Sequence, residues 1–224
     1  MPLWALLTIV LALSGALFLL AGGAYRSPLM ARHRLPDDKP RKVNGARLYT
    51  RVLGNMVFSS ALVYVLAYAA YPWLFDETER SWAVSLLQPI GILLLYDAAY
   101  YCMHRFAFHR WAWLKRVHAV HHAVRHANAI DSLYLHPLET FLGLALLMAC
   151  TMLVGPVQPV VFAVVFAVYS FLNILVHCGL DLPVFGLRAV SYLARKHDIH
   201  HTSMRGGNFA SITPICDILF GTAE

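Results

Sequence analysis

The chain has 224 residues, 59% of them hydrophobic and 13% charged, with a mean hydropathy of +0.58 and a formal net charge of +6. That length suits a single domain, and that composition excludes an ordinary soluble globular protein. The basic residues sit in loops beside apolar runs, which fits the positive-inside rule and anionic lipid headgroups and argues against nucleic acid as a partner.

Leu3 to Ala21 is an apolar run about as long as a bilayer crossing requires. It has no basic segment before it, so it reads as a retained helix rather than a cleaved signal. Arg26 to Arg51 is polar, with eight Lys or Arg against Asp37 and Asp38, and Pro28, Pro36 and Pro40 break any long helix there. Val52 to Leu74 is a second apolar run, rich in Tyr and ending at Pro72-Trp73, a pair that suits an interface belt. Asp76 to Arg80 is a short acidic loop, and Trp82 to Tyr101 a third span. The histidine-dense stretch His104 to His136 follows. Then come Leu138 to Val154 and Val160 to Val176, each short for a full crossing and read as two tilted spans or a re-entrant hairpin. From His177 onward the chain is polar again.

The expectation is an all-α membrane protein with four to five transmembrane or re-entrant helices. Placing Arg26–Arg51 in the cytoplasm leaves only Arg80, of 18 Lys and Arg, on the far side. Both histidine-rich stretches then form a cap on the cytoplasmic face. The four cysteines lie far apart without a CxxC, and read as packing residues or free thiols in a reducing compartment.

Twelve histidines are present, eleven of them from His104 to His201, and ten of these, all but His126, form the pattern of interest. They run as His104-x4-His109, His118-x2-His121-His122, His136, His177 and His197-x2-His200-His201. On an α-helix, residues three and four apart share a face, so each HxxHH presents three imidazoles in one patch, and two facing patches surround room for two metal ions. The His104–His109 step is about 140° round a helix, so either the helix ends or bulges after His104, or the two rings serve different ions. Imidazole suits Fe, Zn, Cu and Ni, but eight to ten histidines without nearby cysteine are too many for one structural zinc. A lone histidine is far more often a surface or core residue, and His33 and His126 are read that way. Ligating histidines pass their second N–H to a carboxylate or carbonyl, which makes Asp97, Glu139, Asp198 and Asp217 candidates for that supporting role. Asp97 stands out because a carboxylate ending an apolar span is costly unless paired.

At these residues the sequence resembles the fatty acid hydroxylase superfamily, which includes sterol C4-methyl oxidases, sterol C5-desaturases and ceramide fatty acid hydroxylases. Asp97-Ala-Ala-Tyr-Tyr-Cys-Met-His104-Arg105 resembles the first box, His118-Ala-Val-His121-His122 the second and His197-Asp-Ile-His200-His201 the third. Leu135-His136-Pro137-Leu138-Glu139, followed by Gly155-Pro156, and His177-Cys-Gly-Leu-Asp181-Leu-Pro183 are similar to the sterol C4-methyl oxidase branch. Asn208-Phe209-Ala210 through Asp217-Ile-Leu-Phe220-Gly221-Thr222 resembles the closing segment. The four residues between His104 and His109 match the ceramide hydroxylase branch, and Asn173 stands where some members carry His.

The resemblance implies two irons, O2 as co-substrate, a membrane lipid as substrate and electrons from a separate cytochrome b5-like or ferredoxin-like donor. Zinc, which outcompetes ferrous ion at many nitrogen sites, is the expected contaminant of purified protein. The implied organisation is a transmembrane region over 1–96 and a catalytic region over 97–224 in one integrated domain. The implied ligands are His104, His109, His118, His121, His122, His136, His177, His197, His200 and His201, with Tyr101 and Asn173 near the site. A compact chain of this kind leans toward a bacterial inner membrane over an endoplasmic reticulum. Two rival readings use the same histidines: a membrane metal-binding or transport protein, and a metal-dependent lipid hydrolase that works without oxygen.

Overall fold

The computed structural model describes residues 1–36, 43, 45–125, 128–182 and 184–224. Asp37, Asp38, Pro40, His126 and Pro183, which enter the sequence reading, lie outside them. The regular structure of the described residues is helical, apart from two isolated bridges. In hydrocarbon every backbone N–H and C=O must be satisfied within the protein, and runs this apolar meet that demand as helices. Five helices are long and apolar enough to cross a membrane.

Helix α1 (Leu3–Arg26) leads through a 3-10 segment (Pro28–His33) toward α2 (Gly45–Ala69), which starts inside the polar stretch and carries Arg47 and Arg51. Pro72 breaks the second apolar run, so Tyr71–Leu74 forms a separate turn, α3. Helix α4 (Trp82–Cys102), capped by Ser81, continues without interruption into a π-helical turn, Met103–Phe108. The short α5 (Ala112–His118) and two 3-10 turns, His121–Ala123 and Ala129–Leu133, follow. Helices α6 (Pro137–Val154) and α7 (Pro159–Val176) each begin with a proline whose missing N–H costs nothing at that position. Gly155, at φ +110°, makes the reversal that ends α6. A 3-10 turn (Phe185–Leu187), α8 (Arg188–Thr202) and α9 (Ile215–Leu219) complete the chain.

The depth of the α6–α7 hairpin follows from its turn. Val157 N donates to Leu74 O at 2.9 Å and Asp76 N to Val157 O at 3.1 Å. The turn therefore lies level with the loop joining the second and third spans, and the hairpin crosses as deeply as they do. Trp4 O and Thr8 meet Tyr64 Oη, so α1 and α2 run antiparallel. The other ends of all five spans converge on the histidines.

Helix α1 packs on α7, α2 on α6, and α4 on both α6 and α7. The interior holds Leu7, Val63, Ala67, Ile92, Leu147 and Phe162, all fully buried, while Leu19, Leu20, Val57 and Leu87 face outward. Lipid is as apolar as leucine, so packing and interhelical polar contacts hold such helices together. Asn55 supplies one such contact, donating to Leu133 O and accepting from Thr140 Oγ1 at 3.0 Å.

Candidate metal centre

Nine of the ten clustered histidines converge on two adjacent groups. His104, His109, His118, His122 and His200 form one; His121, His177, His197 and His201 form the other, and within each group the candidate ligand atoms lie within 4.8 Å of one another. Eight of the nine are buried and His197 is half-buried.

Local backbone geometry explains the sorting. The π turn closes with His109 N–H donating to His104 O, an i→i+5 bond. A wider turn brings residues five apart onto one face, so His104 and His109 enter the same group despite a spacing wrong for an α-helix. His118 is the last residue of α5, and His121 and His122 occupy the 3-10 turn after it. Each HxxHH is then split: His118 and His122 go to the first group and His121 to the second, while His197 and His201 go to the second and His200 to the first. The i,i+4 pair stays together and the i+3 residue crosses over.

Ring tautomers carry the strongest argument. His104 Nδ1 lies 2.7 Å from Phe209 O, His109 Nδ1 3.0 Å from Met204 O and His200 Nδ1 2.7 Å from Gly207 O. His121 Nδ1 meets Tyr134 O, His177 Nδ1 meets Asn173 O and His201 Nδ1 meets Val124 O. His118 Nδ1 lies 2.7 Å from Glu139 Oε1. Carbonyl and carboxylate oxygens only accept, so in all seven rings Nδ1–H donates and Nε2 carries the lone pair. Among these seven, Nε2 atoms then face each other, His104 to His118 at 3.0 Å and His177 to His121 at 3.2 Å, and His197 Nε2 closes on His177 and His201 at 2.8 and 3.0 Å. Neutral rings in this tautomer have no proton to share between them. A cation at the focus of each group turns the repulsion into coordination, and the donor set fits two metal ions. His109 Nε2, buried and without a protein partner, agrees with this.

Electrostatics keep the rings neutral, as metal ligation requires. Burial, reinforced by neighbouring imidazoles, holds His118, His121, His197 and His201 well below the ordinary histidine range. Burial pushes His177 down to about 4 and His200 to about 3.

Several expected residues take other places. His136 joins neither group; it caps α6, its Nδ1 accepting from Leu138 N at 3.1 Å, so a backbone N–H occupies its lone pair. Asp97 touches no histidine. It accepts from the N–H groups of Ser211, Ile212 and Thr213 and from Thr213 Oγ1. Asp217 accepts from Phe209 N and Ala210 N and pairs with Lys196 at 2.7 Å. Both carboxylates act one layer further out: Asp217 pins the segment whose carbonyls orient His104, His109 and His200, and Asp97 the residues that follow it. Tyr101 Oη contacts Arg105 and Thr222, and Asp198 is half-buried on α8 outside both groups. Of Asp97, Glu139 and Asp217, it is Glu139 whose hydrogen bond reaches a clustered ring. Asn173 holds His177 through its backbone carbonyl. His33, hydrogen-bonded by Arg32 Nε, stands outside both groups.

A cavity of about 330 Å³ runs from within the spans to the metal centre. Leu11, Gly15, Leu144 and Phe166 line its apolar body, and His104, His121, His177 and His197 form its inner end, so it touches both groups. Four of the α1 and α2 residues in this wall, Ser14, Gly15, Ser59 and Ser60, carry no signal in the sequence beyond being small.

The fatty acid hydroxylase family model matches residues 89–222. Methylsterol monooxygenase 1 of Gallus gallus is 28% identical over 204 residues, covering 87% of this chain and 67% of its own length. The Danio rerio protein of the same name is 29% identical over 216 residues, covering 92% and 72%. Very-long-chain aldehyde decarbonylase GL1-6 of Oryza sativa subsp. indica is 28% identical over 218 residues, covering 87% of this chain and 33% of its own length. No solved structure matches the chain. The family match takes in more than half the sequence and every residue of both histidine groups, and the chain belongs to the fatty acid hydroxylase family.

Proposed function

We propose that this protein is a membrane oxidoreductase that hydroxylates or desaturates a lipid, with O2 as co-substrate and electrons from a separate donor. The observation that carries the reading is the apolar cavity, which begins among spanning helices and ends at four histidines drawn from both groups. Relatives named for a methylsterol and for a very-long-chain aldehyde support a lipid as the substrate. Those relatives are eukaryotic and lend no support to a bacterial membrane in particular.

His104, His109, His118, His122 and His200 would hold one iron ion, and His121, His177, His197 and His201 the other. When bound, the irons supply the activation of O2 that an unactivated C–H bond requires. The chain's own part is to fix and shield. Seven Nδ1–H donors lock the rings, Tyr100 and Phe209 wall the inner end of the cavity, and the spans guide a lipid to it without an aqueous passage. The basic ends of α1 and α2 lie beside the histidines, which supports a cytoplasmic metal centre.

A transporter would need polar ligands within the spans, whereas both groups form where the helices end. The test compares lipid extracts by mass spectrometry from cells expressing the wild type and His121→Ala, with and without oxygen. A lipid gaining one oxygen or losing two hydrogens, only with the wild type and only in air, supports the proposal. A product formed equally without oxygen points to the hydrolase reading and defeats it.

A further inference from the structure

The histidines have a second approach, from the polar side. A recess of about 410 Å³ lined by Arg105, Arg110, Lys115 and Arg205 reaches inward to His109, with Glu224 at its edge. Phe209 lines both this recess and the apolar cavity. Its cations differ in how they are held. Arg105 donates to Tyr101 Oη, and both it and Arg110 lie over the Phe106 ring. Arg110 and Arg205 are exposed and Lys115 half-buried, and no ion pair to these three occurs among the described residues.

Four cations against one carboxylate repel one another. The positive-inside rule accounts for cations along a membrane edge, but not for their grouping round an opening that leads to a buried imidazole. The reaction supplies a reason. Hydroxylation balances as R–H + O2 + 2 electrons + 2 H⁺ → R–OH + H2O. Desaturation also takes two electrons and two protons, with both oxygen atoms leaving as water. Either way two electrons must come from an external carrier, and a lipid in the apolar cavity closes that side. The recess is the polar opening that ends on a clustered histidine, and its floor includes Met204, whose carbonyl accepts from His109 Nδ1–H.

We propose that this cationic recess is the docking surface for an acidic one-electron carrier protein, an inference that rests on the O2-dependent reading above. Charge complementarity selects the partner: an acidic face meets Arg110, Lys115 and Arg205 and sets its redox group over His109.

The experiment places the iron-loaded protein in nanodiscs of zwitterionic lipid and compares the wild type with the Arg110→Glu, Lys115→Glu, Arg205→Glu triple variant. The probes are two acidic carriers, a plant-type [2Fe–2S] ferredoxin and the soluble domain of cytochrome b5, with cytochrome c as a basic control. Binding is measured directly at several salt concentrations, without turnover. Unchanged iron content in the variant establishes that it is folded. The expected result is binding of at least one acidic carrier that weakens steeply with salt and falls at least about tenfold in the variant, with no preference for cytochrome c. Equal binding by the wild type and the variant, or no acidic carrier bound, overturns the proposal. So does a variant defect seen only as lost affinity for vesicles containing phosphatidylglycerol, which would make the patch a lipid-headgroup contact. Charge-dependent carrier binding without any O2-dependent lipid product would instead sink the enzymatic reading and leave the docking surface standing.

Discussion

Glu139 sits in the first turn of a spanning helix, only 5% exposed, with Oε1 on His118 Nδ1 and Oε2 buried without a partner. A carboxylate in such a place is expensive unless it serves a ring that a cation will load. Glu139→Ala should therefore weaken metal retention at the five-histidine group by about 10- to 100-fold under chelator challenge, with Glu139→Gln intermediate because its amide oxygen still accepts. Metal analysis after dialysis decides it, and Glu139→Ala holding both ions like the wild type would show that His118 needs no orienting partner. The same residues predict a pH dependence. His177 and His200 bind protons only near pH 4 and 3 when folded, whereas an unfolded chain takes them up around 6.5. Stability from these two is complete above about pH 6.5 and is lost as pH falls toward 4, at about 1.4 kcal/mol per pH unit for each histidine. Thermal melting in detergent should fall clearly between pH 7.5 and 5, and a flat profile would contradict it. The two HxxHH motifs are legible in the sequence by their spacing, whereas His136, expected among the ligands, caps α6 and stands outside both groups. What orients the clustered rings is not legible: six of the seven Nδ1 partners are backbone carbonyls, which every residue carries.

At the level of elements, two devices assemble the five-histidine group. One is the π turn, which converts the five-residue step from His104 to His109 into a shared face. The sequence poses that alternative without resolving it, since hydrogen-bond register leaves no residue signature. The other is the segment Met204–Ala210, whose carbonyls take three Nδ1–H donors, all from this group. Asn208 braces it from a left-handed backbone at φ 59°, its side chain donating to Lys196 O and accepting from Glu224 N. Asn208→Gly keeps that backbone accessible and removes the bracing. Asp217→Asn, which breaks a fully buried ion pair, should act the same way more severely. Both should cost the protein the ion of the five-histidine group while the four-histidine group, oriented by Tyr134, Asn173 and Val124, keeps its own. Metal content should fall from two ions to one, and loss of both ions together in the folded Asn208→Gly protein would refute the independence of the two groups.

Across the whole molecule, the spans leave a seam. Helix α1 leans on α7 and α2 on α6, and α1 and α2 approach each other at Thr8 and Tyr64, far from the histidines, and again at their other ends, where Arg26 donates to Tyr49 Oη. Nearer the metal centre Ser14 and Gly15 of α1 and Ser59 and Ser60 of α2, all partly exposed, form the cavity wall. Small residues with hydroxyl groups are an odd choice for a lipid-facing surface, and Ser14 Oγ has no partner. They suit a slot through which an amphiphile slides from the bilayer. The five spans could be read from hydropathy, but the seam could not, because it depends on which helices pair and no periodicity in α1 or α2 specifies that. A Cβ at Gly15 would meet nothing within 4 Å, so a side chain can be started at this wall position and Gly15→Leu should narrow the slot. Product formation should drop by about tenfold or more, with metal content unchanged and stability within about 0.5 kcal/mol of the wild type. Leu87→Trp, on an outward-facing position of α4, provides a control of similar bulk that should leave the rate alone. If both variants turn over lipid like the wild type, the substrate reaches the histidines by another path. If Gly15→Leu alone slows, the open side of the bundle is where the membrane hands its lipid to the metal centre.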